Sequence, residues 1–168
     1  MDHGLEGLKV LIVDDNQHMR AIVAAILKSA NVNQVREATH GGHALSILKT
    51  WPADIAIVDF QMAPMDGLEL TRALRDPAVS PNPYMPIIMM TGYAERQRVM
   101  EARDAGVSEF LVKPVTAKGV LDRLHAAVFK PRPFVENDGY FGPTRRRLDM
   151  PDRVGPRRRA EDRSAGEG

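Results

Sequence analysis

The sequence predicts an α/β doubly wound domain, a five-stranded parallel sheet with five helices packed on its two faces. Three observations carry that reading. Apolar runs of four to six residues recur along the chain, separated by longer segments of helical period. The order strand then helix repeats five times, which right-handed crossovers turn into one sheet covered on both sides. Four of the runs end in polar groups, and the carboxyl ends of parallel strands are where ligands and chemistry collect in such sheets.

The first strand spans Lys9 to Val13 and runs into Asp14-Asp15. Asn16 is a suitable N-cap for a helix through Ala30, with Met19, Ile22, Val23, Ile26 and Leu27 on its apolar face. Gln34 to Ala38 is the second strand. Gly41-Gly42 ends it, and Ala44, Leu45, Ile47 and Leu48 form a short helix closed by Trp51-Pro52. Ile55 to Asp59 is the third strand, followed by a loop of turn formers, Met62-Ala63-Pro64-Met65-Asp66-Gly67. Leu68, Leu70, Ala73 and Leu74 mark a third helix. Prolines 77, 81 and 83 make the stretch from Asp76 to Tyr84 an irregular connection. The fourth strand, Ile87 to Met90, runs into Thr91-Gly92, and Glu95 to Ala105 is helical until Gly106 stops it. Glu109 to Val112 is the fifth strand and runs into Lys113-Pro114. Thr116 to Val128 closes the domain as a helix, with Val120, Leu121, Leu124 and Val128 at helical spacing.

After Phe129 no apolar periodicity survives, and prolines 131, 133, 143, 151 and 156 interrupt the chain. Residues 7–129 are therefore expected to be the domain and 130–168 a Pro/Arg-rich tail, largely disordered or extended. The tail carries ten Lys and Arg against seven Asp and Glu, which leaves thirteen against fifteen in the rest of the 23 and 22. A mildly acidic body with a basic tail suggests two separate jobs.

The chain has no cysteine, which excludes disulfides, thiol chemistry and thiolate zinc sites. The five histidines include no His-x-x-x-His pair, and His40 and His43 beside Gly41-Gly42 suit a loop or helix start. The amino terminus has neither a basic segment nor an apolar one of signal type, and no apolar stretch approaches the ~20 residues needed to span a bilayer. A cytoplasmic protein is expected.

Asp14, Asp15 and Asp59 converge on the carboxyl edge of the predicted sheet. At ~4 Å and an effective dielectric near ~20, each like-charge pair costs about 4 kcal/mol. Carboxylates so placed raise one another's pKa or recruit a cation, and without thiolates or clustered histidines the natural cation is a hard one such as Mg²⁺. Lys113 then supplies a point charge for a phosphoryl oxygen and Thr91 a hydroxyl donor. The chemistry implied is phosphoryl transfer, and Asp59, alone on the central strand, is the best carboxylate nucleophile.

Asp14-Asp15, Asp59, Thr91 and Lys113-Pro114, in this order and on these strand ends, resemble the receiver domain of two-component response regulators, a flavodoxin-like fold. The resemblance implies that Asp59 accepts a phosphoryl group from a phosphohistidine on a sensor histidine kinase or a histidine phosphotransfer protein. It implies that Asp15, Asp59 and the backbone carbonyl of Gln61 ligate Mg²⁺, with Asp14 acting largely through ordered water. Thr91 and Lys113 would grip the phosphoryl group, Phe110 would be the aromatic switch, and the Lys113-Pro114 bond would be cis. Signal would leave through the surface of the fourth helix, fifth strand and fifth helix. The chain departs from the family pattern at Ala63-Pro64, where proline comes one place late, at Gly92, where alanine is commoner, and at Phe110, which lacks the commoner tyrosine's hydroxyl. Gln61 and Tyr93 hold positions that tune the lifetime of the phosphoryl group in that family.

The expectation is a stand-alone receiver, a phosphoacceptor signalling protein that can catalyse its own phosphorylation and dephosphorylation but is not otherwise an enzyme. A place in a phosphorelay, as intermediate or phosphate sink, is the alternative. A hydrolase of the aspartyl-phosphate type would need a general acid two residues after the nucleophile, and Gln61 has no titratable proton. The arginine triplets 145–147 and 157–159 suit solvation, an acidic partner, nucleic acid, anionic lipid or a cyclic dinucleotide. The run Asp138 to Arg145, with its Tyr140-Phe141 pair, reads as a linear motif for a partner. Arg96, Arg98 and Arg103 read as a solvated face of the fourth helix.

Overall fold

The computed structural model describes residues 3–137 and 139–144. Its centre is a parallel sheet of β1 (Lys9–Val13), β2 (Gln34–Ala38), β3 (Ile55–Asp59), β4 (Ile87–Thr91) and β5 (Glu109–Val112), in the order β2-β1-β3-β4-β5. The helices are α1 (Gln17–Ser29), α2 (Gly41–Thr50), α3 (Gly67–Arg75), α4 (Val99–Ala105) and α5 (Ala117–Phe129). The doubly wound, flavodoxin-like arrangement is as expected.

Strand alternation divides the core between the two faces. Val10 and Ile12 of β1, with Ile55 and Ile57 of β3, face α1 and α5 and meet Val23, Leu27, Val120 and Leu124. Leu11 and Val13, with Ala56 and Val58, face the other way and meet Ala44, Leu48, Leu70 and Leu74 of α2 and α3. Every residue of β3 and β4 is buried, which explains why their apolar runs are unbroken. β2 is an edge strand, mostly polar and exposed.

The helix starts follow from local chemistry. Asn16 caps α1 by accepting from the Met19 N–H, and Thr116 caps α5 by accepting from Gly119. His40 caps α2: its Nδ1 accepts from the His43 N–H at 3.1 Å, so these two histidines do serve a helix start. Asp66 and Glu69 form a reciprocal capping box on α3.

Three features differ from the sequence reading. The fourth helix does not begin at Glu95. Residues Tyr93–Arg98 make a 3-10 turn, because the buried Glu95 side chain folds back to accept from the Gly92 N–H at 2.6 Å, and α4 starts only at Val99. Arg96 and Arg98 therefore lie outside α4, over the rings of Tyr93 and Phe60.

The ordered body also reaches beyond 7–129. Leu5 is fully buried in the core on the α1–α5 face. Past α5, β6 (Phe134–Asn137) and β7 (Tyr140–Pro143) pair antiparallel as a ribbon packed on the domain. The start of the tail is thus structured, and Tyr140-Phe141 is not displayed for a partner. Tyr140 is buried with its hydroxyl donating to the Pro143 carbonyl at 2.6 Å, and Phe141 packs on Tyr84 and Phe134. Four residues per strand is too short a run to show a period, and the prolines masked it. The arginine triplets lie outside the described residues.

The ribbon lies over Arg75, whose guanidinium is buried at the end of α3. Nε donates to Gly106 O at 3.0 Å, Nη1 to Pro83 O and Met85 O at 2.7 Å each, and Nη2 to Ser108 Oγ at 3.3 Å. Phe134 covers it, with the ring centroid 4.9 Å away. Burial pulls the Arg75 pKa down to about 10, so it remains charged at neutral pH.

Candidate functional site

β1 and β3 are neighbours, but the chain leaves them for opposite faces of the sheet. The crevice where strand order reverses opens beyond their carboxyl ends. Asp14 follows β1 directly, Asp59 ends β3, Thr91 ends β4, and Lys113 follows β5. The structure therefore brings the sequence-predicted carboxylates and lysine together. Carboxylate oxygens of Asp14, Asp15 and Asp59 lie within 4.8 Å of one another. Lys113 Nζ stands 2.6 Å from Asp59 Oδ1. Thr91 is buried, and its carbonyl accepts from the Lys113 N–H at 2.8 Å, tying the ends of β4 and β5. Thr91 and Lys113 line one cleft with Gly92, Tyr93, Val99 and Val112.

Burial is uneven across the cluster, and that sets its electrostatics. Asp14 and Asp59 are almost fully enclosed, whereas Asp15 is exposed. Burial pushes Asp14 up to about 6, helped by the charge of Asp59 and opposed by the Asn16 N–H, which donates to Asp14 Oδ1 at 2.9 Å. Burial also raises Asp59, with the hydrogen bond and charge of Lys113 pulling the other way.

Three carboxylates face one ammonium here, and Asp14 Oδ2 is buried with no hydrogen-bond partner among the described residues. An all-oxygen donor set with an orphaned anionic oxygen fits a hard divalent cation such as Mg²⁺. Gln61, whose carbonyl the resemblance assigns to the same ion, is exposed in the loop just beyond β3.

The loop from Asp59 to α3 is held by Gly67. Its N–H donates to Phe60 O at 2.8 Å, and a Cβ there would lie 2.3 Å from Asp59 O and 3.0 Å from Phe60 Cα. Gly67→Ala must push α3 away from the end of β3, with an expected loss of about 1–3 kcal/mol in urea unfolding. A loss below ~0.5 kcal/mol would mean that the loop yields without strain. Both Ala63-Pro64 and Lys113-Pro114 are cis, the latter as the resemblance implies.

Phe110 is half-buried on β5 and packs against the cluster formed by Phe60, Leu68, Met89 and Ala102. Sequence reasoning missed Glu95, which shapes the turn after Thr91, and Arg75, which anchors the α4–β5 connection from below. Neither stood apart from an ordinary charged helix face.

Residues 10–125 match the family model described as the response regulator receiver domain. The chain is 36% identical over 119 residues to the chemotaxis protein CheY-3 of Vibrio cholerae, covering 71% of this chain and 90% of that one. It is 35% identical over 117 residues to the chemotaxis protein CheY of Pseudomonas aeruginosa, covering 70% and 93%. Among solved structures, the chemotaxis protein CheY4 of Vibrio cholerae superposes with a TM-score of 0.65 at 30% identity, covering 72% of this chain and 98% of that one. With the fold, the switch-point acidic cluster and these matches in agreement, the chain belongs to the response regulator receiver domains of two-component systems.

Proposed function

We propose that Asp59 is the phosphoacceptor of a single-domain response regulator, loaded from a phosphohistidine in a Mg²⁺-dependent reaction. The observation that carries this is a buried carboxylate at the end of the central strand, with an ammonium at 2.6 Å and two further carboxylates beside it. An Asp59 carboxylate oxygen forms a bond to phosphorus as the phosphorus–nitrogen bond of the donor breaks, and that bond's electron pair returns to the imidazole. Asp14, Asp15 and Asp59, with the Gln61 carbonyl, would hold Mg²⁺, which supplies charge neutralisation for the phosphoryl oxygens. Lys113 exchanges its contact with Asp59 for a phosphoryl oxygen, and the Thr91 hydroxyl donates to another.

Loading changes which groups Thr91 and Lys113 hold, and both lie on segments that flank α4 and β5. Thr91 moving toward the phosphoryl group frees space for Phe110, the aromatic switch, to pack deeper. Exposed Tyr93, Met100 and Val112 support an output surface on α4, β5 and α5, where a partner that prefers the loaded form receives the signal. Gln61 and Tyr93, both exposed, come two residues after Asp59 and Thr91, the positions assigned to tuning the lifetime of the acyl phosphate. The donor is a sensor histidine kinase or a histidine phosphotransfer protein, in the cytoplasm. Among the described residues no helix is long and apolar enough to cross a membrane.

The test is intact-protein mass after incubation with acetyl phosphate, for the wild type and Asp59→Asn. One phosphoryl group is expected on the wild type with Mg²⁺, and none without the metal or in Asp59→Asn. An adduct that survives in Asp59→Asn would place the acceptor elsewhere. Failure of the wild type to take up either a phosphoryl group or beryllofluoride would sink the reading.

A further inference from the structure

The β6–β7 ribbon is not a simple cover, because it grips the α4–β5 connection at both ends. At one end Gly106 stops α4 with φ +112, and it is held from two sides. Arg75 Nε donates to its carbonyl from below, while a Cβ on Gly142 of β7 would lie 3.3 Å from Gly106 Cα. At the other end Arg132, just before the ribbon, stands 3.9 Å from the buried Glu109 that begins β5 and immediately precedes Phe110. The ribbon is closed by Arg132 and Thr144: Arg132 Nη1 donates to Thr144 O at 3.3 Å, and the Thr144 N–H to Pro133 O at 2.7 Å. Phe134 and Phe141 also meet Tyr84, whose ring lies 5.1 Å from Phe134 and 5.3 Å from Phe141.

The fit is incomplete. A cleft of about 240 Å³ remains between the ribbon and the sheet, lined by Ser108, Glu109, Ala127, Arg132, Phe134 and Pro143. The Arg132 Nε is buried there without a hydrogen-bond partner among the described residues. Close-packed interiors resist rearrangement, whereas a loosely seated two-stranded ribbon can reseat or lift without disturbing the core. The segments it touches, the end of α4 and the start of β5, belong to the elements that Asp59 phosphorylation would shift.

We propose that the β6–β7 ribbon is a clasp on the α4–β5 connection, so that its docking and the loading of Asp59 are coupled. The clasp rests on the phosphoacceptor reading above. Coupling of this kind is reciprocal: whatever loading does to docking, docking does to loading, by the same factor.

Amide hydrogen exchange on the full chain, with and without beryllofluoride and Mg²⁺, tests it. Loading is expected to change the exchange of amides 134–137 and 140–142 by tenfold or more, together with the amides of α4. Full-chain Phe134→Ala and Tyr84→Ala, which remove the ribbon's and the body's partner in the same ring contact, should then shift the half-saturating beryllofluoride concentration severalfold. The shift is downward if loading loosens the ribbon and upward if it tightens it. Slowed exchange in the loop after Asp59, with ribbon amides changed less than twofold, would overturn the clasp and leave the phosphoacceptor reading standing. No response at either place would overturn both.

Discussion

Replacing Arg75 by methionine is expected to lower the unfolding free energy by about 3–5 kcal/mol, a large share of a small domain's total. The guanidinium holds the carbonyls of Pro83, Met85 and Gly106 and the hydroxyl of Ser108, which come from two separate stretches of chain, 83–85 and 106–108. Methionine fills much of the volume but leaves the Met85 and Gly106 carbonyls buried without this donor and the Pro83 carbonyl half-buried without it, while Ser108 Oγ keeps the Ile87 N–H. A buried acceptor that cannot return to water costs more than a lost hydrogen bond. Arg75→Lys should recover only a minor part. An ammonium is a point charge and cannot reach four acceptors in the plane of a guanidinium fork. Urea unfolding of the three proteins measures this, and a loss below ~1 kcal/mol for Arg75→Met would show that water replaces the guanidinium. Phe134 should loosen with it, since its ring sits over the same group.

The second large effect has the opposite sign. Asp14→Asn is expected to stabilise the metal-free protein at pH 8 by about 2–3 kcal/mol. Burial raises the folded-state pKa of Asp14 to about 6 from an ordinary value of 3.8. Between those values the folded state holds more protons than the unfolded chain, so stability falls as pH rises through that window. The penalty is absent below it and complete above it. Asparagine keeps an oxygen to accept from the Asn16 N–H and removes the charge. Urea unfolding in EDTA at pH 8 and pH 4 separates the two regimes, with the gain expected to shrink below ~0.5 kcal/mol at the lower pH. A less stable Asp14→Asn at pH 8 would mean that the carboxylate is held favourably without a cation. Saturating Mg²⁺ should erase the gain, because the wild type binds it with one more charge.

The sequence carried the sheet and the site together, and for one reason. In a doubly wound sheet the central strands are buried on both faces, so Ile55–Val58 and Ile87–Met90 stand out as unbroken apolar runs, and the residues that end them must lie at one edge. That logic places Asp59 and Thr91 without any distance. The hidden features are encoded in single contacts rather than in periods. Glu95 turns inward to hold the Gly92 N–H, which shortens α4, and nothing in its spacing separates it from a solvated glutamate. Arg75 reads as the last basic residue of a helix, although it is a buried hub. The ribbon needed the most. Tyr140 and Phe141 are apolar for an intramolecular reason, visible only once Arg75, Tyr84 and Gly106 are in place to receive them.

Because all five strands run the same way, the molecule has two unlike poles. One pole holds every group proposed for chemistry, from Asp14 to Lys113. The ribbon sits at the other, against the beginnings of β4 and β5, roughly a strand's length away. A lineage can therefore lengthen, shorten or rewrite the segment beyond α5 without obstructing the approach of a phosphodonor. Inventions at the blunt pole and conservatism at the reactive one are compatible in a single small chain, and a regulator can change its audience while keeping its chemistry.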